Sequence, residues 1–164
     1  MKKCLLLLCL LPLAASAQNL KLNRGDFEAS GSAWLDQAEL GFSTRFGMFV
    51  HDYLQAGVDV TWADSDFATR TRLGIYSFRI VETRSYWLPY FGGGLGYGSV
   101  DIDGLDSESG VELTLFGGVK YYLADNVSLN SELAFGLSTG DTYISDDDLE
   151  STRIGLTVGI SYLW

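Results

Sequence analysis

The chain has 164 residues, 47% of them hydrophobic and 13% aromatic, with 19 glycines, two prolines and a formal charge of −10. Such acidity excludes the basic footprint of a nucleic-acid binder. The length suits one domain, and no run reaches the roughly 18 consecutive apolar residues of a helical membrane span.

In chain order, Lys2 and Lys3 precede an apolar stretch at 4–14, and Ala15-Ser16-Ala17 supplies a small-x-small cleavage site. That stretch is too short to cross about 30 Å of hydrocarbon as a helix. It reads as a secretory signal peptide, residues 1–17, cleaved after Ala17. Cys4 and Cys9 both lie inside it. The mature chain is therefore expected to lack disulfides, thiolate metal sites and a lipidated cysteine. Loss of Lys2 and Lys3 takes the charge from −10 to −12. Residues 18–24 form a short leading segment, and 25–164 the domain.

Alternation of apolar and polar residues marks successive strands. The first, 26–35, sets Phe27, Ala29, Gly31, Ala33 and Leu35 on one face. The second, 37–49, opposes Leu40, Phe42, Phe46 and Met48 to Glu39, Ser43 and Arg45. The third, 54–63, opposes Leu54, Val58, Val60 and Trp62 to Gln55, Asp59 and Thr61. The fourth, 69–81, changes phase: Leu73 and Ile75 favour one parity, Tyr76, Phe78 and Ile80 the other. A β-bulge near Gly74 reconciles them, and the direction of Arg79 depends on it. The fifth, 87–99, alternates Pro89, Phe91, Leu95 and Tyr97 with Tyr90 and glycines 92, 94, 96 and 98. The sixth, 111–123, and the seventh, 127–138, put Val111, Leu113, Leu115, Leu129, Leu133 and Phe135 opposite Glu112, Lys120 and Glu132.

The last strand, 153–164, is the most regular. Ile154, Leu156, Val158, Ile160, Tyr162 and Trp164 share one parity, and Arg153, Gly155, Thr157, Gly159 and Ser161 take the other. An apolar face this long, closing on aromatics, fits a strand with lipid outside, a polar lumen inside and an aromatic girdle at the interface. Eight strands of about 9–11 residues suffice to cross a membrane when tilted. The expected architecture is all-β: an eight-stranded antiparallel up-and-down transmembrane β-barrel. Tight turns at 50–53 and 124–126, with a slightly longer one at 82–86, belong on the periplasmic side. Longer acidic loops at 64–68, 99–110 and 139–150 belong outside, and the first outer connection, near Asp36, is very short.

Two stretches carry a family likeness. Leu88-Pro-Tyr-Phe-Gly-Gly-Gly-Leu-Gly-Tyr97 is similar to a Pro-aromatic, Gly-rich fifth strand, and Gly118-Val-Lys-Tyr-Tyr-Leu-Ala-Asp-Asn-Val-Ser-Leu129 to a strand, tight turn and strand. Together with the terminal strand they make residues 25–164 resemble the small eight-stranded outer-membrane barrels of the OmpX and OmpA-barrel type. The resemblance implies a Gram-negative outer-membrane location and assembly by the barrel-assembly machinery, with Tyr162 and Trp164 part of its signal. It also implies contact with membrane lipids and lipopolysaccharide. The chain departs from the family in stopping at the barrel's last strand, so no C-terminal peptidoglycan-binding domain and no cell-wall tethering role are expected.

An eight-stranded barrel is just wide enough inside for side chains to fill it. The inward parity collects Glu28, Glu39, Arg45, Asp59, Arg70, Arg72, Glu112, Lys120, Glu132 and Arg153, five acids and five bases. Mutual pairing makes such charges tolerable. A static polar plug is preferred here over a salt-bridge gate, because a permeation path would more naturally show a ring of one sign. Trp34, Trp62, Trp87, Tyr121, Tyr162 and Trp164 lie near strand ends and are expected to form the girdle.

Other chemistry is thinly represented. Asp101, Asp103, Asp106 and Glu108 could share a divalent cation, but Leu105 takes a ligand position and no helices flank the loop. His51, the single histidine, lies in a turn and reads as exposed. The reading that follows is a monomeric structural, envelope-integrity or surface-interaction barrel with no cofactor, no catalysis and an unidentified surface partner. A narrow channel is the alternative, and a lipid-modifying enzyme a weaker third.

Overall fold

A computed structural model describes residues 21–35, 40–65, 68–102, 107–145 and 148–164. Its elements are β1 (Phe27–Leu35), β2 (Leu40–His51), β3 (Leu54–Asp64), β4 (Ala68–Ile80), β5 (Trp87–Ile102), β6 (Glu108–Ala124), β7 (Val127–Ser138), β8 (Tyr143–Ser145), β9 (Asp148–Glu150) and β10 (Thr152–Leu163). Eight of them close a barrel in the order β1-β10-β7-β6-β5-β4-β3-β2, while β8 and β9 pair separately. Every neighbouring pair is antiparallel. Closure removes the exposed edges that an open sheet would present. It is made where β1 meets β10, from Glu28 opposite Leu163 to Ala33 opposite Val158. Two reciprocal 2.9 Å backbone bonds between Phe27 and Trp164 extend it to the last residue.

Both ends of the domain and the tight connections at 52–53, 81–86 and 125–126 gather at one mouth, the turn end. The long connections gather at the other, the loop end. Residues 36–39, the first loop-end connection and the position of Glu39, lie outside the described residues.

Alternation holds along the wall. Leu73, Ile75, Phe91, Leu115, Ile154, Leu156 and Val158 face outward and are 55–68% exposed. A continuous apolar exterior on a barrel demands apolar surroundings. β4 departs from expectation: its burial alternates without interruption from Ala68 to Ile80, and its register with β3 and β5 is unbroken. No bulge exists near Gly74. Tyr76, Phe78 and Ile80 simply face inward with Arg70 and Arg72, because a lumen this narrow accepts aromatic rings as readily as charges. Arg79 consequently faces out, next to the turn end of β4, where its long stem can reach the headgroup region. The register shifts lie elsewhere, at Phe49/His51 and Tyr122/Ala124.

One element has no counterpart in the sequence reading. The 139–151 connection, expected as a plain acidic loop, contains the β8–β9 hairpin.

Candidate functional site

Inward side chains divide the lumen into two layers. Toward the turn end, Phe49, Tyr76, Phe78, Ile80, Leu88, Tyr90, Phe116 and Tyr122 pack into one apolar cluster with Leu22 from the leading segment. Phe78 is its centre, with ring centroids 5.8 Å from Tyr76, 5.2 Å from Tyr90 and 6.4 Å from Phe116. Leu22, only 1% exposed, closes the mouth beneath. Its carbonyl accepts from Tyr53 N at 3.3 Å, and Gly25 N donates to Phe49 O at 2.8 Å. Burial and the nearby Glu82 carboxylate raise the Tyr53 hydroxyl above its ordinary pKa. The layer is a floor of rings across the lumen.

One ion pair is set into this floor. Lys120 Nζ donates to Glu28 Oε1 at 2.5 Å and to Ser161 Oγ at 3.3 Å, and lies 5.4 Å from the centre of the Phe78 ring. The desolvation that penalises a buried ammonium is offset by its carboxylate partner and the ring face.

Toward the loop end the filling is ionic. Arg45 forks onto Glu132 through Nη1 (2.6 Å) and Nη2 (2.8 Å) while its guanidinium lies 4.6 Å above the Phe116 ring. Tyr90 also donates to Glu132, at 3.0 Å, so this pair joins the two layers. Arg72 pairs with Asp59, and its Nε lies 3.0 Å from Glu112 Oε2, off the line of a hydrogen bond. Arg70 Nη2 donates to both oxygens of Glu112, at 2.8 and 2.7 Å.

Glu112, with no exposed surface, is also where the β8–β9 hairpin attaches. Thr142 Oγ1 donates to it at 3.0 Å and Tyr143 Oη at 3.3 Å. Arg70 stacks 4.7 Å over the Tyr143 ring, and Ile144 packs on Ala68 and Val100. Burial, then the Glu112 carboxylate, push the Tyr143 hydroxyl up to about 12. Two glycines make the fit: a Cβ at Gly98 would stand 2.0 Å from Glu112 Oε1, and one at Gly136 2.3 Å from Tyr143 Oη. Between floor and hairpin lies a chamber of about 100 Å³, lined among others by Arg45, Asp59, Arg70, Arg72, Glu112 and Glu132.

The fold places these features on a known pattern. The outer membrane protein beta-barrel domain model matches residues 4–161. The chain belongs to that family. Solved barrels agree: the N-terminal β-barrel domain of Pseudomonas aeruginosa OprF has a TM-score of 0.70 at 14% identity, over 86% of this chain and 98% of that one. Neisserial surface protein A gives 0.62 at 18% identity, over 84% and 94%. Ail, the attachment invasion locus protein of Yersinia pestis, gives 0.54 at 16%, over 87% and 99%, in a crystal containing the heparin analogue sucrose octasulfate. At these identities the likeness shows the fold alone. None of the curated protein sequences matches the chain. An outer-membrane β-barrel is therefore the frame in which the site is read.

Of the ten residues expected in the lumen network, Glu28, Arg45, Asp59, Arg70, Arg72, Glu112, Lys120 and Glu132 are joined in the ion pairs above. Arg153 lines the chamber, and Glu39 lies outside the described residues. Trp34 is a correction. It does not belong to the outer girdle: it is buried, lines the chamber, and carries the Arg153 guanidinium 4.7 Å over its ring. Parity is the reason, since Trp34 shares the face of Glu28, Ser30 and Ser32; position near a strand end was the weaker signal.

The other five aromatics do face outward. Trp62 stacks on Phe42 at 6.2 Å toward the loop end. Trp87 lies 4.7 Å from Tyr121, and Tyr162 6.0 Å from Trp164, toward the turn end. Asp101 and Glu108 sit in β5 and β6, whereas Asp103 and Asp106 lie outside the described residues. His51 is exposed at the end of β2. What sequence reasoning missed is the floor, and the uninterrupted parity from Arg70 through Ile80 was its signal.

Proposed function

We propose that this barrel is a plugged outer-membrane protein with a structural or surface-interaction role, and neither a pore nor an enzyme. The observation that carries this is the continuous aromatic floor, backed by Leu22, with the carboxylates above and within it engaged by Arg or Lys. Rings packed at centroid distances of 5.2–6.4 Å occupy that level of the lumen, which supports a plug over a permeation path. On this reading residues 1–17 direct export, the turn end lies in the periplasm, and the aromatics anchor the two interfaces. Tyr162 and Trp164 serve recognition by the assembly machinery. The protein works as a monomer among outer-membrane lipids and lipopolysaccharide.

The loop end narrows the choice of partner. Its connections at 36–39, 64–68, 101–110 and 139–151 contain no Lys, Arg or His, and Asp64, Asp101, Glu108, Asp141 and Glu150 are exposed there. The cations of that half all point into the lumen. Such a rim repels sulfated or phosphorylated polymers and favours cationic partners, or divalent ions shared with lipopolysaccharide phosphates. A role like that suggested by Ail with sucrose octasulfate is disfavoured here.

Single-channel recording of the refolded mature protein in a planar bilayer tests the reading. Silence, with folding verified by the heat-dependent gel shift, is the expected result. Long-lived uniform openings that change on Glu132→Gln or Lys120→Met would establish the narrow channel instead.

A further inference from the structure

We infer that the outer wall of β3–β6 holds a specific site for one anionic phospholipid from the leaflet at the turn end. One acyl chain lies in a groove of the wall, and the phosphate sits on Arg79. The groove follows from the register. Ala56 of β3 stands opposite Ser77 of β4, and Ser77 opposite Gly93 of β5. All three are on the outward parity, so the wall is shallow at this level. Ile75, Leu95 and Leu113 stand up from it toward the loop end and are 41–61% exposed. These residues bound an open groove of about 490 Å³. The Ser77 hydroxyl is taken up by the wall, donating to Gln55 O at 3.0 Å, which leaves the groove apolar.

The second observation is a charge. Arg79 lies two residues beyond Ser77 on the same face, roughly 7 Å along the strand toward the turn end. It is the sole Arg or Lys on the outward parity of the eight barrel strands among the described residues. None of the ion pairs among the described residues includes it. Glu82, in the turn that follows, is engaged by the Tyr53 hydroxyl. A guanidinium on a lipid-facing wall is tolerated near the headgroups, and its planar fork matches a phosphate. The groove opens on hydrocarbon, so its occupant comes from the membrane. An apolar groove ending at a cation therefore selects a molecule with an acyl chain and an anionic headgroup. A second barrel fits less well: its strand faces carry acids only at Asp64 and Asp101, both toward the loop end.

Phosphatidylglycerol and phosphatidylcholine with identical chains, titrated into the refolded mature protein in detergent, test the site by native mass spectrometry. One retained phosphatidylglycerol per barrel is expected, held about tenfold more tightly than phosphatidylcholine. Arg79→Gln should abolish that preference and leave phosphatidylcholine unaffected. Ala56→Leu, which fills the groove, should weaken both lipids. Arg84→Gln, in the turn and outside the groove, should change neither. The heat-dependent gel shift verifies that each variant is folded. Equal retention of the two lipids, a preference that survives Arg79→Gln, or an equal loss on Arg84→Gln would each overturn the assignment. Dimers that separate on Ala56→Leu would give the groove to a second copy, and also overturn it.

Spin-labelled lipids in phosphatidylcholine bilayers give a check that needs no variant. Labelled phosphatidylglycerol should show one more motionally restricted lipid per barrel than labelled phosphatidylcholine. Equal restricted fractions would mean ordinary boundary lipid only, which overturns the site. This inference does not stand or fall with the plug. Conductance would sink the plugged reading while leaving the lipid preference in place.

Discussion

The two layers of the lumen fill the same eight-stranded cylinder with opposite chemistry. The floor rests on burial of rings, which is non-directional and spread over many contacts. The chamber rests on a few charge-assisted hydrogen bonds whose members depend on one another. A floor residue can lose its side chain and leave neighbours intact, whereas a chamber residue that is lost leaves buried charge behind. Similar wall geometry thus supports a robust layer and a brittle one. The brittle layer is the one that faces the β8–β9 hairpin.

Breaking the hub should have the largest effect. Glu112→Ala strands Arg70 inside the barrel and leaves Arg72 with Asp59 alone, and a broken buried pair typically costs about 3–5 kcal/mol. Urea unfolding of the refolded protein in lipid vesicles would show it. Phe78→Ala, at the centre of the floor, should cost about 3 kcal/mol through lost burial and a residual cavity, with the chamber unchanged. If its cost exceeded that of Glu112→Ala, the division into robust and brittle layers would be wrong.

The latch should be weaker still. Thr142→Val and Tyr143→Phe each remove one hydrogen bond worth about 1 kcal/mol. The effect should appear as faster proteolysis within 139–151, with global unfolding almost unchanged. Tyr143 gives the same contact a pH dependence. Its folded pKa, pushed up to about 12, lies above the ordinary value of about 10. The seated hairpin therefore holds the Tyr143 proton more tightly than a detached one would. Latch stability should be constant below about pH 10, fall as pH rises toward 12, and level off above it. A Tyr143→Phe protein should lose this dependence.

The smallest effect is expected where charge sits inside the robust layer. Replacing the Glu28–Lys120 pair together, as Glu28→Leu with Lys120→Met, should change stability by about 1 kcal/mol or less, because buried pairs exchange well for apolar residues of similar size. Lys120→Met alone, which leaves Glu28 uncompensated, should cost several times more. Equal costs for the single and double changes would show that the pair is not coupled.

The strand pattern was legible because a wall between lipid and lumen imposes a period of two on nearly every residue. Outward Leu73, Leu115 and Ile154 and inward Glu112 and Lys120 followed from parity alone. The same rule, applied to Trp34 and to Tyr76, Phe78 and Ile80, would have placed them correctly. Their apolarity argued for lipid, and parity outweighs apolarity in a barrel whose lumen is filled with side chains.

From the sequence came the strand count, the faces and the roster of inward charges, since each depends only on neighbours along one chain segment. Which arginine meets which carboxylate, the separation into floor and chamber, and the seating of the β8–β9 pair on Glu112 came from the tertiary structure. Arg45 reaches Glu132 across 87 positions of sequence and Lys120 reaches Glu28 across 92. Closure of the sheet and the stagger of its strands set those meetings, and they are properties of the cylinder as a whole.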